Sequence, residues 1–483
     1  MQVTEERVEP DADEAPDAYH PDPRRWRILG VTLVVGFMSL LDVTIVNVAL
    51  PSMRAGLDTS TGTIQWVVSG YALAFGLTLV AGGRLGDAYG RRRLMVIGLI
   101  GFVLSSAAVG LAPSAELVVV ARLVQGASAG LLTPQNSGLI QQLFRGPERG
   151  TAFGYFGLTV SISSGAGPVI GGAIIALAGS ENGWRWLFLV NVPIGLVALV
   201  AIVRLVPDLP PEDQGRDPRI DVPGALLLGG AVLSLLYPLV RIEAGARMPL
   251  LLLVGVPLFL WGFVRWEQRI RRIGRPPLLD VSLLRELPGY GNGLAVGALY
   301  FTGFTGVFLV LSVFLQEGLD FSPLHAGLLL TPFAMGSAVT APIAGRIVSA
   351  IGRRVTVIAL SVMMTGVLLV AVLVPLVGTD RLGWVLVPAL VLAGLGGGGV
   401  VNPNFTLALA EVPPHMGGAA GAAIQTGQRI GSAIGAALLM TVYEIVQGSG
   451  SASRGLQAAL LTALVVLAAA QAMAVRALRE QKP

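Results

Sequence analysis

Long apolar runs separated by short charged stretches fill the chain from Trp26 onward. We count fourteen such runs, from 27–50 to 454–477, each of about 20 residues or more. A helix of about 20 apolar residues crosses the roughly 30 Å of hydrocarbon in a bilayer. Glycine and proline recur inside the runs, which membrane-spanning helices tolerate. The pattern predicts an all-α integral membrane protein with fourteen transmembrane helices.

The runs divide the chain into five regions. Residues 1–25 are acidic and rich in proline, which predicts a disordered cytoplasmic tail. This tail lacks the basic and apolar pattern of a secretory signal. We expect a six-helix bundle over 26–206, then cytoplasmic linkers with two inserted transmembrane helices over 207–287. A second six-helix bundle over 288–478 and a short C-terminal tail, 479–483, complete the chain.

Charge adds topology to this picture. Charged residues make up 13% of the chain, and arginines concentrate in alternate loops. The positive-inside rule therefore predicts a multi-pass protein of the cytoplasmic (inner) membrane with both termini in the cytoplasm. Because the basic residues serve topology and form no basic face, we do not expect nucleic acid as a partner.

Several kinds of chemistry have no sequence support. The chain has no cysteine and three dispersed histidines, so we expect neither a metal site nor a catalytic centre, and no enzyme. A phosphate-binding G-x-x-x-x-G-K-[ST] loop is missing, so we expect no ATP and no other cofactor. The stretch "GLGGGG" (394–399) fits a dinucleotide-binding pattern formally, but it follows no strand, which favours close helix packing.

Three pairs of short similar segments reveal an internal repeat. "GRLGDAYGRR" (83–92) matches "GRIVSAIGRR" (345–354) at six of ten positions, and "GLLTPQN" (130–136) and "GPVIGG" (167–172) have counterparts at 399–405 and 431–436. Echoes in one order and at nearly one offset predict two parallel bundles. The first copy has Asp87 where the second has Ser349. An acid there could cap a helix or pair with an arginine.

Two charges lie within apolar runs. Asp42 is in the first run and Arg122 is in the fourth. Ionisable groups inside a membrane are costly and indicate function, and Asp42 is placed to bind and release a proton. A structural acid held by neighbours such as Asn47, and a snorkelling arginine, are the alternatives. The repeat places Val391 opposite Arg122, so the fold does not require this arginine.

Several motifs, in the expected order, resemble one family. "GRLGDAYGRRR" (83–93) resembles the signature loop between helices 2 and 3 of the major facilitator superfamily. "LDVTIVNVALP" (41–51) resembles the first-helix signature of its fourteen-helix drug:proton antiporters. "RLVQGASAG" (122–130) and "GAGPVIGG" (165–172) resemble their helix 4 and helix 5 signatures, and "WRWLFLVNVPIG" (184–195) extends the match.

The resemblance implies a fold, a function and roles for residues. The fold would be the major facilitator fold, two six-helix bundles plus two inserted helices, and the function would be proton-driven export of a drug or antibiotic. Asp42 and Arg122 would couple protons to transport. A conformational latch would comprise Gly83, Asp87, Gly90, Arg91 and Arg92. The antiporter motif, which marks exporters and seals one side of the pathway, would comprise Gly167, Pro168, Gly171 and Gly172.

Polar and aromatic side chains inside the runs are candidates for a substrate cavity. These are Gln125, Asn136, Asn191, Tyr300, Phe304, Asn402 and Gln425. The expected partners are a small drug-like or antibiotic molecule, protons and membrane lipid, and we expect a monomer. A transporter of an endogenous metabolite, a channel, and a non-transporting receptor or scaffold remain alternatives.

Overall fold

The computed structural model describes residues 21–179, 182–208, 221–243, 248–274, 277–279, 283–378, 381–413 and 416–480. Every regular element in these ranges is helical. The predicted N-terminal tail lies mostly outside the described residues, because the description begins at Pro21 and the first helix at Arg25.

The first half forms a bundle of long helices, which we call the N-terminal bundle. Its helices are α1 (Arg25–Gly56), α2 (Thr61–Tyr89), α3 (Arg91–Leu111), α4 (Ala115–Leu143), α5 (Gly146–Ala178), α6 (Gly183–Leu189) and α7 (Asn191–Leu205). Ser60 and Ser114 cap α2 and α4, since each side chain accepts a hydrogen bond from a backbone N–H three residues on. Helices α6 and α7 together form one apolar span, Gly183–Leu205.

Shorter helices connect the halves. They are α8 (Val222–Glu243), a 3-10 turn at Met248–Val254, α9 (Gly255–Arg272) and α10 (Leu283–Glu286). The C-terminal bundle follows, with α11 (Pro288–Val313), a π-helical turn at Phe314–Gly318, α12 (Pro323–Ile351), α13 (Arg354–Leu373), α14 (Leu382–Gly398), α15 (Val401–Ala408), α16 (Gly417–Ser449) and α17 (Ala452–Glu480).

Eleven helices of the described chain are long and apolar enough to cross a membrane, or twelve when the two parts of α5 count as one span. The predicted count of fourteen is therefore not confirmed. The difference lies in the inserted helices: the apolar part of α8 is short, at Val222–Leu235. In α9, five charged residues fall between 265 and 272, and residues 244–247 between the two helices lie outside the described ranges.

Glycines allow close helix packing inside each of the two bundles. Gly126 and Gly130 of α4 lie against the backbone of α2, and Gly394 and Gly398 of α14 lie against the backbone of α12. Small residues let helix backbones approach this closely. The stretch "GLGGGG" therefore lies at the end of α14, whose glycines allow close packing on neighbouring helices.

Both bundles meet at one end of the molecule. Helix α2 packs against α16, and α5 packs against α12. The start of α1 lies at this end, where Arg25 pairs with Glu148 in the first turn of α5, at 2.8 Å. The α2–α3 turn at Gly90 lies there too, since Arg91 lies against Gly138 near the end of α4. We call it the Asp87 end.

Candidate functional site

A buried ion pair lies near the middle of α1. Asp42 and Arg122 are each 1% exposed, and Arg122 Nη1 donates to Asp42 Oδ2. The same guanidinium nitrogen donates to Gln125 Oε1 at 2.9 Å, and Gln125 Nε2 donates to Asp42 Oδ1 at 3.0 Å. The three side chains therefore close a ring of hydrogen bonds in which the carboxylate is the acceptor.

Three further helices complete this network. Asn191 Nδ2 of α7 donates to Asp42 Oδ1 at 3.3 Å, and Ser106 Oγ of α3 accepts from Gln125 Nε2 at 2.7 Å. Arg122 Nε donates to the Val67 carbonyl of α2 at 2.9 Å, while the guanidinium lies 4.2 Å from the centre of the Tyr71 ring. Because both charges are buried, this pairing compensates a desolvation cost that either would otherwise bear alone.

Local breaks and small residues bring these groups together. The chain turns at Val190 between α6 and α7, which places Asn191 at the first position of α7 and beside Asp42. Pro193 lacks the N–H that a continuous helix would use. On the other side, Thr44 Oγ1 donates to the Ser163 carbonyl at 3.1 Å, so α5 lies directly against α1.

The predicted antiporter motif lies along that contact. A Cβ on Gly167 would collide with Thr44, so only glycine allows this approach. Gly171 is buried, whereas a Cβ on Gly172 would meet no heavy atom of the described chain within 4 Å. The axis of α5 bends by 40° between Gly146–Gly167 and Val169–Ala178. The side chain of Pro168, at the bend, lies outside the described part.

An aromatic pair links this network to the other bundle. The Tyr71 ring stacks on Phe75 with centroids 6.2 Å apart, and the Arg429 guanidinium of α16 lies 4.8 Å from the Phe75 ring centre. Cations are attracted to aromatic faces at such distances. Tyr71, Phe75 and Arg429 were not among the predicted site residues.

The predicted latch joins the two bundles. Asp87 is 5% exposed and pairs with Arg91 at 2.8 Å, one helical turn on. Its two oxygens accept hydrogen bonds from the backbone N–H groups of Gly418, at 3.2 Å, and Ala419, at 2.9 Å. These groups belong to the first turn of α16. An acid of one bundle therefore caps a helix of the other, where the helix dipole favours negative charge.

The glycines of the latch have separate tasks. Gly83 lies against α16, where a Cβ would be 2.5 Å from the Gly418 carbonyl oxygen. Gly90 has φ +97°, which favours glycine, and it forms the whole connection between α2 and α3. Arg92 does not reach the other bundle; its Nη2 donates to the Val203 carbonyl of α7 at 2.7 Å.

The second copy of this loop lacks the cap. Gly345, the counterpart of Gly83, also packs across the bundle interface, with a Cβ position 2.5 Å from the Gly150 carbonyl oxygen of α5. Ser349, the counterpart of Asp87, is exposed and donates to the Arg346 carbonyl of its own helix at 3.2 Å. The shared glycine thus makes a symmetric contact, and the acid adds an asymmetric one.

Other contacts extend the closure of the Asp87 end. Gln141 Nε2 of α4 donates to the Leu409 carbonyl at 2.6 Å, and Ser161 and Ser337 share a hydrogen bond at 2.8 Å. The sequence offered no signal for these residues, because a single polar side chain in an apolar run does not reveal which helix it faces.

The polar cavity candidates fall into two groups. Gln125 and Asn191 belong to the Asp42 network. Asn136, Asn402 and Gln425 are buried, and Asn136 Oδ1, Asn402 Oδ1 and Gln425 Nε2 have no hydrogen-bond partner among the described residues. They lie on α4, α15 and α16, helices that pack across the bundle interface. Buried polar atoms of this kind are usually completed by water or a ligand.

The aromatic candidates belong to one cluster of the C-terminal bundle, in which Tyr300 is buried and Phe304 is partly exposed. Tyr300 and Phe304 of α11 stack with ring centroids 5.4 Å apart. Phe333 of α12 lies 5.2 Å from Phe304 and 4.7 Å from Phe308, so the cluster is larger than the sequence suggested. Such a surface suits a planar or cationic organic molecule.

Comparison with known proteins decides the family. The family description "Major Facilitator Superfamily" matches residues 32–436, which is most of the chain. The chain belongs to the major facilitator superfamily. It is therefore a multi-pass membrane protein of a transporter family and not an enzyme.

Its relatives within the superfamily include proteins named for antibiotics. The chain is 38% identical over 432 residues to the "Probable actinorhodin transporter" of Streptomyces coelicolor, covering 89% of this chain and 74% of that protein. It is 39% identical over 428 residues to the "Puromycin resistance protein pur8" of Streptomyces alboniger, covering 87% and 82%. The "Tetracenomycin C resistance and export protein" of Streptomyces glaucescens is 31% identical over 428 residues, covering 86% and 75%.

Solved major facilitator structures share the fold. The human organic anion transporter MFSD10 superposes with a TM-score of 0.67 at 18% identity, covering 94% of this chain and 100% of that one. The proton:xylose symporter XylE superposes with a TM-score of 0.65 at 15% identity, covering 93% and 95%. At these identities the likeness concerns the fold alone.

Proposed function

We propose that this protein is a drug:proton antiporter that exports a drug or antibiotic from the cytoplasm by alternating access. Three relatives at 31–39% identity are named as an antibiotic transporter or as antibiotic resistance proteins, which supports efflux as the activity. The proton gradient would drive it, without ATP or a cofactor.

The observation that carries proton coupling is the Asp42–Arg122 pair. As a carboxylate, Asp42 accepts hydrogen bonds from Arg122, Gln125 and Asn191 in a buried site. A proton on Asp42 would remove the negative charge that balances Arg122. It would also turn one carboxylate oxygen from a hydrogen-bond acceptor into a donor. The network would then rearrange, because an arginine without an anion is costly in a buried site. Proton binding and a change of conformation are thereby linked.

The latch gives the conformational half of the mechanism. Asp87 holds α16 at its first turn, and Gly83 allows the close contact beside it. We assign the Asp87 end to the cytoplasm, so the structure represents a state closed on that side. Opening toward the cytoplasm would require Asp87 to release α16, and substrate would then enter between the bundles.

The substrate site would lie between the bundles. Asn136, Asn402 and Gln425 offer unpartnered polar atoms, and Tyr300, Phe304 and Phe333 offer aromatic faces. This combination of a few polar groups and much apolar surface is typical of drug sites.

The finer topology is part of the proposal. We propose fourteen spans, with 222–241 in α8 and 248–266, which comprises the 3-10 turn and the apolar part of α9, as the inserted pair. Both termini would lie in the cytoplasm of a cell with a proton gradient across its inner membrane, because alternate loops carry the arginines. We propose that the protein works as a monomer within the lipid.

Everted membrane vesicles containing the full chain would test the function. The vesicles are energised, lumenal pH is followed with a dye, and puromycin and actinorhodin are added first. We expect each transported drug to raise the lumenal pH in the native protein and not in Asp42→Asn. Asp58→Asn is the matched control, since Asp58 is exposed after α1 and its φ of +45° suits asparagine.

Each outcome has a distinct meaning. An equal response in Asp42→Asn would remove Asp42 from proton coupling. No response to any drug would contradict drug:proton exchange and favour an endogenous metabolite or a receptor or scaffold role.

A further inference from the structure

A second pair of buried carboxyl groups lies outside the Asp42 network. Asp221 directly precedes α8, and Glu267 lies near the end of α9; they are 8% and 2% exposed. Asp221 Oδ1 accepts hydrogen bonds from the Gly224 backbone N–H at 3.0 Å and from Trp266 Nε1 at 2.7 Å. A Cβ on Gly224 would contact Asp221 Oδ2 and lie 3.0 Å from Glu267 Oε1, so both acids face one small space.

Three oxygens in this space lack a hydrogen bond of normal geometry from any described residue. They are Asp221 Oδ2 and both carboxyl oxygens of Glu267. Two buried carboxylates facing each other repel, and these three oxygens lose hydration without a well-formed hydrogen bond in return. One proton removes one of the two charges and supplies a donor to the other acid. The geometry therefore favours a singly protonated pair.

The described basic side chains of α9, α2 and α16 are exposed or lie beside other groups. Arg269 and Arg272 are exposed, Arg271 pairs with Glu286, Arg265 lies on the Trp261 ring, Arg84 lies beside Asp87, and Arg429 lies on the Phe75 ring. Residues 277–279, which also pack here, have no ionisable side chain.

The electrostatics agree with this geometry. Glu267 lies beyond the apolar part of α9, at its charged end. Burial, and then the charge of Asp221, raise the pKa of Glu267 to about 8, although the nearby backbone N–H groups of Leu279 and Leu278 lower it. At neutral pH the pair thus retains a proton that an exposed glutamate would have lost.

We propose that Asp221 and Glu267 form a second proton-binding site, whose proton keeps α8, α9 and residues 277–279 packed against α2. This proposal does not depend on the substrate or direction of transport, and it does not involve Asp42.

The position of the pair explains its effect. Helix α8 runs antiparallel to α2, with Tyr237 5.9 Å from Trp66 at one end and Leu278 beside Val80 and Ala81 of α2 at the other. Helix α2 also carries Asp87. Loss of the proton would loosen the inserted helices from the helix that holds the bundles together, so the site would make this contact sensitive to cytoplasmic pH.

Cysteine labelling of the full chain in membranes tests the proposal. The chain has no cysteine of its own, and Leu278 is 1% exposed, so Leu278→Cys reports on this packing. A hydrophilic maleimide is applied from pH 5 to 9.5 to Leu278→Cys with native Glu267 and with Glu267→Gln. The ratio of the two rates cancels the ionisation of the thiol itself. Exposed Glu444→Gln, on α16, is the matched control for the substitution.

We expect the ratio of native to Glu267→Gln labelling to rise about tenfold per pH unit above the ordinary glutamate pKa, because opening releases one proton. The ratio should level off above pH 8, and Glu444→Gln should follow the native profile. A ratio that stays within twofold across the range would overturn the proposal. If Glu267→Gln does not reach the membrane, Asp221→Asn is combined with Leu278→Cys instead. We expect the labelling profile to level off at a lower pH than with native Asp221, because the charge of Asp221 raises the pKa of Glu267. An unchanged profile would overturn the proposal equally.

Discussion

The Asp87 carboxylate of α2 accepts a hydrogen bond from the backbone N–H of Gly418 in α16, at 3.2 Å. The acid belongs to one bundle and the helix start to the other, so this bond exists only while the Asp87 end is closed. The ion pair of Asp87 with Arg91 lies within the N-terminal bundle, so separation of the bundles does not require it to break. The cap, unlike the ion pair, therefore depends on closure of this end.

Asp87→Ala should favour the open state. Losing a helix cap to alanine costs about 0.5–2 kcal/mol, so we expect the ratio of closed to open molecules to fall about 2- to 30-fold. Distances between spin labels on cysteines at Tyr89 and Ile351, both exposed at this end, measure that ratio. Asp87→Asn should lie between alanine and the native protein, since asparagine also caps helices.

The repeat supplies the control for this measurement. Ser349→Ala alters the equivalent position of the C-terminal bundle, where the exposed hydroxyl donates to a carbonyl of its own helix. We expect no change in the distance distribution. Equal effects of Asp87→Ala and Ser349→Ala would show that the cap does not hold the bundles together.

Gly83→Ala should open the same end by a steric route. The new Cβ would lie 2.5 Å from the Gly418 carbonyl oxygen and 2.9 Å from the Ala422 Cβ, so α2 and α16 must separate. We expect the same spin labels to report a larger open fraction. Gly30→Ala is the comparison, because its Cβ would meet no described atom within 4 Å and alanine favours the helix by about 0.5–1 kcal/mol. A similar closed fraction in both variants would argue against this contact.

The sequence predicted the fold well because its signals are local. The length of the apolar runs predicted most of the spans. The repeat of Gly83 at Gly345 predicted two equivalent bundles, and in the structure each of these glycines contacts the opposite bundle. The helix count depends on α9, which combines an apolar start with five charges at its end. Length and composition alone do not place such a helix.

The site was predictable only in part. Asp42, Arg122 and Asp87 stand out because a charge in an apolar run is conspicuous. Ser106, Tyr71 and Gln141 do not, since their roles depend on which helix lies opposite. Glu267 was not predicted for another reason. It lies among arginines in the sequence, a pattern typical of a solvated surface, whereas in the structure packing buries its side chain.

The Asp42–Arg122 pair should behave as one unit in stability. Asp42→Asn leaves the buried Arg122 charge without an anion, and breaking a buried pair in this way costs about 3–5 kcal/mol. Combining Asp42→Asn with Arg122→Gln removes both charges, so we expect the double variant to be more stable than Asp42→Asn alone. Thermal unfolding of the purified variants in one detergent compares them, as a double-mutant cycle. Additive losses would mean that the two charges do not depend on each other.

Phe304→Leu should weaken drug binding and leave proton coupling intact. Phe304 lies between Tyr300 and Phe333, and a well-placed aromatic pair contributes about 0.5–1.5 kcal/mol beyond its buried area. Replacing the ring with leucine keeps an apolar side chain, so the half-saturating drug concentration should rise about 2- to 12-fold in the vesicle assay. The maximal pH response should remain, because Asp42 and Arg122 lie in the other bundle.

Phe259→Leu is the control for this prediction, because it makes the same change at a ring that packs on Gly230 of α8. A rise in half-saturation shared by both variants, or a lost maximal response in Phe304→Leu, would place the drug elsewhere.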